Sequence, residues 1–308
     1  MENRTGEFEY IDWIRQTAKQ NPFLPIGIGD DTAMLALQNG RQTLLAADML
    51  MEGVHFTLEA VTPRQIGRKA LAVNLSDIAA MAGHPRAALV SVAFPQNAAG
   101  SLPRKVHKGI EELADQFDVV IAGGDTNSWN GPLVINVAVI GEPAEHGPVL
   151  RSGARVGDWI FVTDRLGGSL AGKHFSFTPR VEEALQLAEC VDLHAMIDIS
   201  DGLAADLHHI LEESEVGAEI DSAKIPISEA AFSLNDSLSP LQHALQDGED
   251  FELLFTVSEV DGKRLVQQSP LNVSLTQIGN ITRETGCFLV EETGRKTDLP
   301  ALGWKHSL

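Results

Sequence analysis

Four short stretches of the chain set carboxylates beside glycine, serine or another small residue: Gly27-Ile-Gly-Asp-Asp31, Asn74-Leu-Ser-Asp77, Gly123-Gly-Asp-Thr126 and Asp198-Ile-Ser-Asp-Gly202. A small neighbour lets the backbone come close to a ligand, and a short acid there reaches a hard cation without being stranded. Mg2+ takes oxygen ligands and commonly bridges protein carboxylates to substrate phosphates, so several such turns converging would make a nucleotide site. Any one of them alone reads equally well as a turn or a helix cap. Asp77 stands apart, because the run Ala70-Leu-Ala-Val-Asn-Leu-Ser-Asp-Ile-Ala-Ala-Met81 is apolar nearly all round and reads as a buried helix. A lone buried carboxylate is costly unless it is paired or holds metal. Asp125 follows the apolar run Val119-Val-Ile-Ala122 and is expected at the carboxyl edge of a strand. Asp198 and Asp201 flank Ser200 just ahead of an amphipathic helix, whose free N–H groups and dipole favour an anion such as phosphate.

Elements that alternate between helical and strand spacing must position these residues. Phe8, Ile11, Ile14 and Ala18 recur at helical spacing between Glu7 and Gln20, and Thr62-Pro63 opens a long helix that Gly83 is expected to close. Strands are expected near 43–47, 87–94, 119–122 and 133–140, with a helix over 102–117. Gly and Pro crowd 141–157, which places a domain boundary near residue 148: an N-terminal domain over 1–148 and a C-terminal domain over 149–308. Strand-like spacing resumes at 158–163. The second half adds helices near 180–190, 202–214 and 260–268 and strands near 251–257, 274–278 and 287–290. The fold class read from this order is mixed α/β in two domains.

The chain of 308 residues, 44% apolar, can supply a core to each domain. Its formal net charge of −20 opposes nonspecific phosphate-backbone binding, which excludes nucleic acid as an expected partner. No apolar run is long enough to span a membrane, and the opening MENRTGEFEY is too polar for a signal peptide, so a cytoplasmic location is expected. Cys190 and Cys287, far apart, read as reduced core thiols. Gly167-Gly-Ser-Leu-Ala-Gly-Lys-His174 comes close to the phosphate-binding pattern GxxxxGK[ST], but His174 replaces the hydroxyl and Pro179 interrupts the helix such a loop should open.

Taken in order, GIGDDTAML, DMLMEGVHF, KALAVNLSDIAAM, AGGDT, RSGARVGDW, DISDGLAADL and DGEDFELLF resemble the thiamine-monophosphate kinases, within a superfamily that includes aminoimidazole ribonucleotide synthetase. The resemblance implies ATP as co-substrate, Mg2+, thiamine monophosphate as acceptor, a homodimer formed by the N-terminal domains, and a site in the interdomain cleft. Position by position it implies Asp30, Asp48, Asp77, Asp125, Asp198 and Asp201 as metal ligands. Gly124, Asp125, Arg151 and Ser200 match nucleotide contacts, and Asp77, Asp125 and Arg151 take the catalytic roles. His55, Glu249 and Trp304 match substrate contacts; taken by themselves they read as a surface histidine, a turn acid and a hydrophobic anchor.

Three departures from the family pattern stand out. Ala46-Ala47 replaces a hydroxyl pair before Asp48, Phe117 stands where an aromatic hydroxyl is usual, and the stretch from Gly172 to Pro179 is short. Two other readings therefore stay open: an ATP-dependent synthetase of the same superfamily, and a nucleotide-binding homologue without turnover.

Overall fold

The computed structural model describes residues 7–18, 21–37, 40–96, 98 and 100–304. The opening residues 1–6 and the expected end of the first helix at 19–20 lie outside them. The first half runs α1 (Glu7–Thr17), β1 (Ala33–Ala36), β2 (Gln42–Met51), α2 (Pro63–Ala80), β3 (Gly83–Pro95), α3 (Leu102–Gln116), β4 (Val120–Trp129) and β5 (Val134–Pro143). Its strands form one sheet in the order β1-β2-β5-β3-β4, antiparallel except for β3 and β4, which α3 joins as a parallel pair. The second half runs β6 (Trp159–Thr163), α4 (Val181–Cys190), β7 (Leu193–Asp198), α5 (Leu203–Ser214), β8 (Gly217–Asp221), α6 (Glu229–Ser233), α7 (Pro240–Gln246), β9 (Leu253–Val257), α8 (Glu259–Gln267), β10 (Leu275–Thr282), β11 (Gly286–Val290) and β12 (Lys296–Asp298). These strands make a second sheet ordered β12-β11-β8-β10-β6-β9-β7.

The helix α2 explains how the two halves meet. Thr62 caps it in a reciprocal capping box with Gln65, and Pro63 sits where no N–H is needed. From Ile66 to Ala80 nearly every side chain is buried, because α3 and the first sheet pack one side while α4 and the second sheet pack the other. One continuous apolar cluster accordingly joins Leu71, Leu75 and Ile78 of α2 to Phe161, Met196 and Phe255 of the second sheet. A second cluster lies on the far face of that sheet, under α5 and α7. The open face of the first sheet is different: strand alternation sends Met49, Leu89 and Val120 outward, where they are exposed.

Three expectations change. The helix ends at Ala80, and Ala82 at φ 50° makes the left-handed turn, while Gly83 already belongs to β3. The strand expected over 119–122 continues to Trp129, because Gly123 and Gly124 take φ values of 148° and 149° and let it pass close to β3; a Cβ on Gly124 would lie 1.7 Å from the Val90 carbonyl oxygen. Asp125 therefore sits inside an edge strand and not at its end. Of the two free cysteines, Cys287 is buried, with its thiol pushed up to about 12 chiefly by burial, but Cys190 closes α4 and is exposed. Among the described residues no helix is long and apolar enough to cross a membrane.

Glycine sets the approach of α2 to α3. A Cβ on Gly67 would fall 1.9 Å from the Val106 carbonyl oxygen, and one on Gly109 1.9 Å from that of Arg64. Gly67→Ala and Gly109→Ala should each destabilise the protein by about 1–3 kcal/mol through overpacking against backbone, read as a lower urea midpoint. An unchanged midpoint would mean that the helices can separate without loss.

Candidate active site

The cleft between the two sheets has a volume of about 790 Å3 and draws its walls from both halves of the chain. Period-two alternation along β2 turns Ala46, Asp48 and Leu50 toward α2. Asn74 of α2 accepts the Asp48 N–H at 3.0 Å, and Asn136 of β5 donates to the Asp48 carbonyl at 3.1 Å, so that stretch of strand is pinned. Asp77 follows one turn later on α2 and opens onto the cleft. From the other half, Asp198 closes β7 at its carboxyl end and accepts a short hydrogen bond from the Ser76 hydroxyl. Carboxylate oxygens of Asp31, Asp77 and Asp198 come within 4.8 Å of one another.

This crowding leaves an electrostatic mark. Burial, then Asp48, Asp198 and Asp31, push the Asp77 carboxyl well above the ordinary carboxylate range, against the pull of Arg151. Burial and then Asp31 raise Asp48. Asp198 is raised to about 7, by burial first and Asp31 second, and the Ser76 hydroxyl only partly offsets this. Arg151 is the counter-charge: its guanidinium donates to both oxygens of Asp31, at 2.8 and 3.3 Å. Burial opposes its charge, but Asp31 and Asp30 outweigh that and hold it firmly protonated. The donor set suits a hard cation: several carboxylate oxygens converge, and burial penalises leaving the acids unpaired, which the one Arg151–Asp31 pair only partly answers.

Asp30 and Asp31 divide the roles expected of Asp30 alone. Asp31 joins the cluster, whereas Asp30 accepts the Arg151 backbone N–H at 3.0 Å and is raised to about 6, chiefly by burial. Sequence reasoning held both in one motif but had no means of telling which side chain turned inward. Asp125 and Gly124 are not brought to the cluster. The register places Asp125 in a row with Ser91, Asn136 and Met49, three strands from the Asp48 strand, about 14 Å at ordinary strand spacing. That row faces away from α2. Both residues instead line a second pocket with Val90, Pro103, His107 and Ile121.

Ser200, Asp201, His55, Glu249 and Trp304 all line the main cleft. Just ahead of α5 the Asp206 carboxylate accepts the N–H groups of Asp201 and Gly202 at 3.1 and 3.0 Å, which ties the Asp198–Gly202 turn to the first turn of the helix. Asp206, which sequence reasoning missed, also groups with Asp201 and His209 within 4.8 Å. Trp304 is half exposed, and its backbone N–H donates to the Asp201 carbonyl oxygen at 2.9 Å, so the tail is tied to the cleft rim. The loop resembling a phosphate-binding loop forms two short 3-10 turns, Ser169–Ala171 and Lys173–Phe175. Its first two amides are engaged, Gly167 donating to Asp250 and Gly168 to Asp247, while Lys173 pairs with the buried Glu252 at 2.7 Å. Phe117, expected near the nucleotide, packs partly buried against the first apolar cluster.

Sequence and structure comparisons agree with one another. The profile described as AIR synthase related protein, N-terminal domain, matches residues 29–142, and the corresponding C-terminal domain profile matches 152–291. Thiamine-monophosphate kinase of Rhodopirellula baltica is 40% identical over 309 residues, covering 97% of each chain. The chain belongs to the thiamine-monophosphate kinase family. The Bacillus subtilis member is 35% identical, over 97% of this chain and 99% of its own. A solved structure described as AaThiL complexed with AMPPCP and TMP superposes with a TM-score of 0.83 at 31% identity, covering 98% of this chain and 97% of that one. Family membership carries the fold of two AIR synthase related domains with it.

The raised carboxylates give stability a definite pH dependence. In the unfolded chain Asp30 and Asp198 release their protons near the ordinary value of 3.8, and in the folded chain only at about 6 and about 7. Between those limits the folded state binds more protons, so without divalent cation stability should fall as pH rises from roughly 4 to 7. Thermal melts in chelator should show this slope, and added Mg2+ should flatten it. A melt independent of pH would mean that the acids are not crowded.

Proposed function

We propose that this chain transfers the γ-phosphoryl group of ATP directly to the phosphate of thiamine monophosphate, giving thiamine diphosphate and ADP. The observation that carries this reading is the meeting of Asp31, Asp77 and Asp198, with Asp48 beside them, in a cleft where the Arg151 guanidinium pairs with Asp31. A cluster of this sign repels phosphates on its own and attracts them once cations are held. Asp31, Asp48, Asp77 and Asp198 would hold Mg2+, and Asp201, which lines the same cleft beside Asp206 and His209, would hold a further ion. Bound there, Mg2+ would neutralise the triphosphate and the acceptor phosphate, whose mutual repulsion is the main barrier to bringing them together.

The remaining work falls to the chain itself. A terminal oxygen of the monoester attacks the γ-phosphorus as the bond to the β–γ bridging oxygen breaks, and ADP leaves with that electron pair. The attacking group is already largely ionised, because a phosphate monoester has a second pKa of about 6, so no strong base is needed. Arg151 steadies nucleotide phosphate from its place against Asp31, and Ser200 lies on the same wall. At the other end of the cleft Phe56, Phe175 and Phe251 form an apolar wall beside Glu249 and His55, suited to the organic part of thiamine, with Trp304 at the rim for its thiazolium.

The exposed apolar residues Met49, Leu89 and Val120 on the open sheet face support a homodimer through that face. Gly124 and Asp125 keep their nucleotide roles in this reading: the edge strand that bears them lies where a second copy would meet the first. ATP as substrate and the absence of a membrane helix among the described residues fit a cytoplasmic location.

Incubation with ATP, Mg2+ and thiamine monophosphate, followed by chromatographic separation of thiamine species, should yield thiamine diphosphate. Asp77→Asn should reduce kcat by at least about a hundredfold, as loss of a group that acts mainly in the transition state does. ATP binding without product would sink the reading. Trp304→Ala should raise the KM for thiamine monophosphate and leave that for ATP unchanged, and sedimentation should report twice the chain mass.

A further inference from the structure

The aromatic end of the cleft contains a charge that opens the stretch KALAVNLSDIAAM and to which the sequence assigned no role. Lys69, near the start of α2, has a side chain with no exposed surface. Its ammonium lies 2.7 Å from each Glu249 oxygen, 3.2 Å from the His55 carbonyl oxygen and 5.0 Å from the centre of the Phe175 ring. An ammonium has three N–H donors, and these three oxygens use all of them. Lys69 therefore has nothing left to offer a ligand. Glu249 differs, because its side chain is 22% exposed and lines the cleft, and a carboxylate has about four acceptor positions, of which Lys69 fills two.

The backbone around Glu249 is held just as firmly. Glu249 and Phe251 both take left-handed φ values, 52° and 51°, next to Gly248 at 72°. Such a conformation costs energy in residues other than glycine and persists only where surrounding contacts over-determine it. Here the contacts are the Glu249 N–H to the Ser200 carbonyl at 2.7 Å, the Ser169 hydroxyl to the Glu249 carbonyl at 2.6 Å, and the Phe251 N–H to the Ile199 carbonyl at 2.8 Å. A strained turn thus presents one carboxylate to the pocket, and a cation from the other half of the chain fixes its direction. A stability role alone accounts poorly for this arrangement, since a buried ion pair adds little over an apolar pair of the same volume.

We propose that Lys69 is a positioning residue for the acceptor: it holds Glu249 as an ionised, oriented hydrogen-bond acceptor for the N–H groups of a flat amino-substituted nitrogen heterocycle bound against Phe56, Phe175 and Phe251. The pair presents no net charge, so the Glu249 position itself favours N–H donors, while a cationic ring is left to the Trp304 face at the rim. The inference rests on the kinase reading above and adds to it the part of the acceptor that is recognised here and the residue that makes recognition possible.

A double-mutant cycle tests it, with Lys69→Met, Glu249→Gln and the combined variant assayed in the full-length protein. Lys69→Met should raise the KM for thiamine monophosphate by about tenfold or more, the scale of one charge-assisted contact, with the KM for ATP within about twofold of wild type. Glu249→Gln should do the same. In the combined variant the two effects should not multiply, because one acts through the other. The combined variant also leaves no unpaired buried charge, so it serves if Lys69→Met alone fails to fold: it should match Glu249→Gln within about threefold in the KM for thiamine monophosphate. Equal increases in both KM values, or a further tenfold loss on adding Lys69→Met to Glu249→Gln, would overturn the inference while the kinase reading stands. A wild type that makes no thiamine diphosphate would overturn both.

Discussion

Mutual repulsion among carboxylates around Asp77 is the constraint on which the rest of this structure depends. Asp31, Asp48, Asp77 and Asp198 are drawn together, burial already raises the proton affinity of Asp48, Asp77 and Asp198, and Arg151 pairs directly with Asp31. Such a group opposes folding unless protons or metal ions neutralise it. The surrounding structure supplies the counterweight. A helix packed on both sides by sheets carries Asp77, the amide of Asn74 and the hydroxyl of Ser76 fix its two neighbours, and an apolar cluster that runs through both halves stabilises the whole.

The cleft then divides its chemistry by composition. Its acidic end suits cations and the phosphates they carry, while its aromatic end has one partly open carboxylate whose charge a buried lysine balances. In the glycine-rich loop the Gly167 and Gly168 amides go to Asp250 and Asp247, and ahead of α5 those of Asp201 and Gly202 go to Asp206, so both turns are fixed by the chain's own acids.

Much of this could be read in the sequence, and particular residues show why. Asp77 stood out because a carboxylate interrupts an otherwise apolar helical run, and the capping box at Thr62 fixed where that helix starts. Asp198 stood out as an acid beside small residues ahead of an amphipathic helix. The strands β7 and β8 were harder, being short segments in which apolar, charged and histidine residues mix, and they appear only once the second sheet pairs them. Lys69 opens the stretch KALAVNLSDIAAM, yet nothing local gave it a role, since a lysine on a helix ordinarily reaches solvent.

The sequence by itself determined the element types, the acidic turns and the family, because these depend on residue spacing and order along the chain. Only the tertiary structure decided which of two adjacent acids turns inward, that Asp125 lies on the sheet face away from Asp48, that Asp206 holds the turn ahead of α5, and that Lys69 meets Glu249 across 180 positions. The reason is physical. Side-chain direction on a strand reverses with each residue and with every bulge, and partners from distant segments are chosen by packing, which local spacing does not encode.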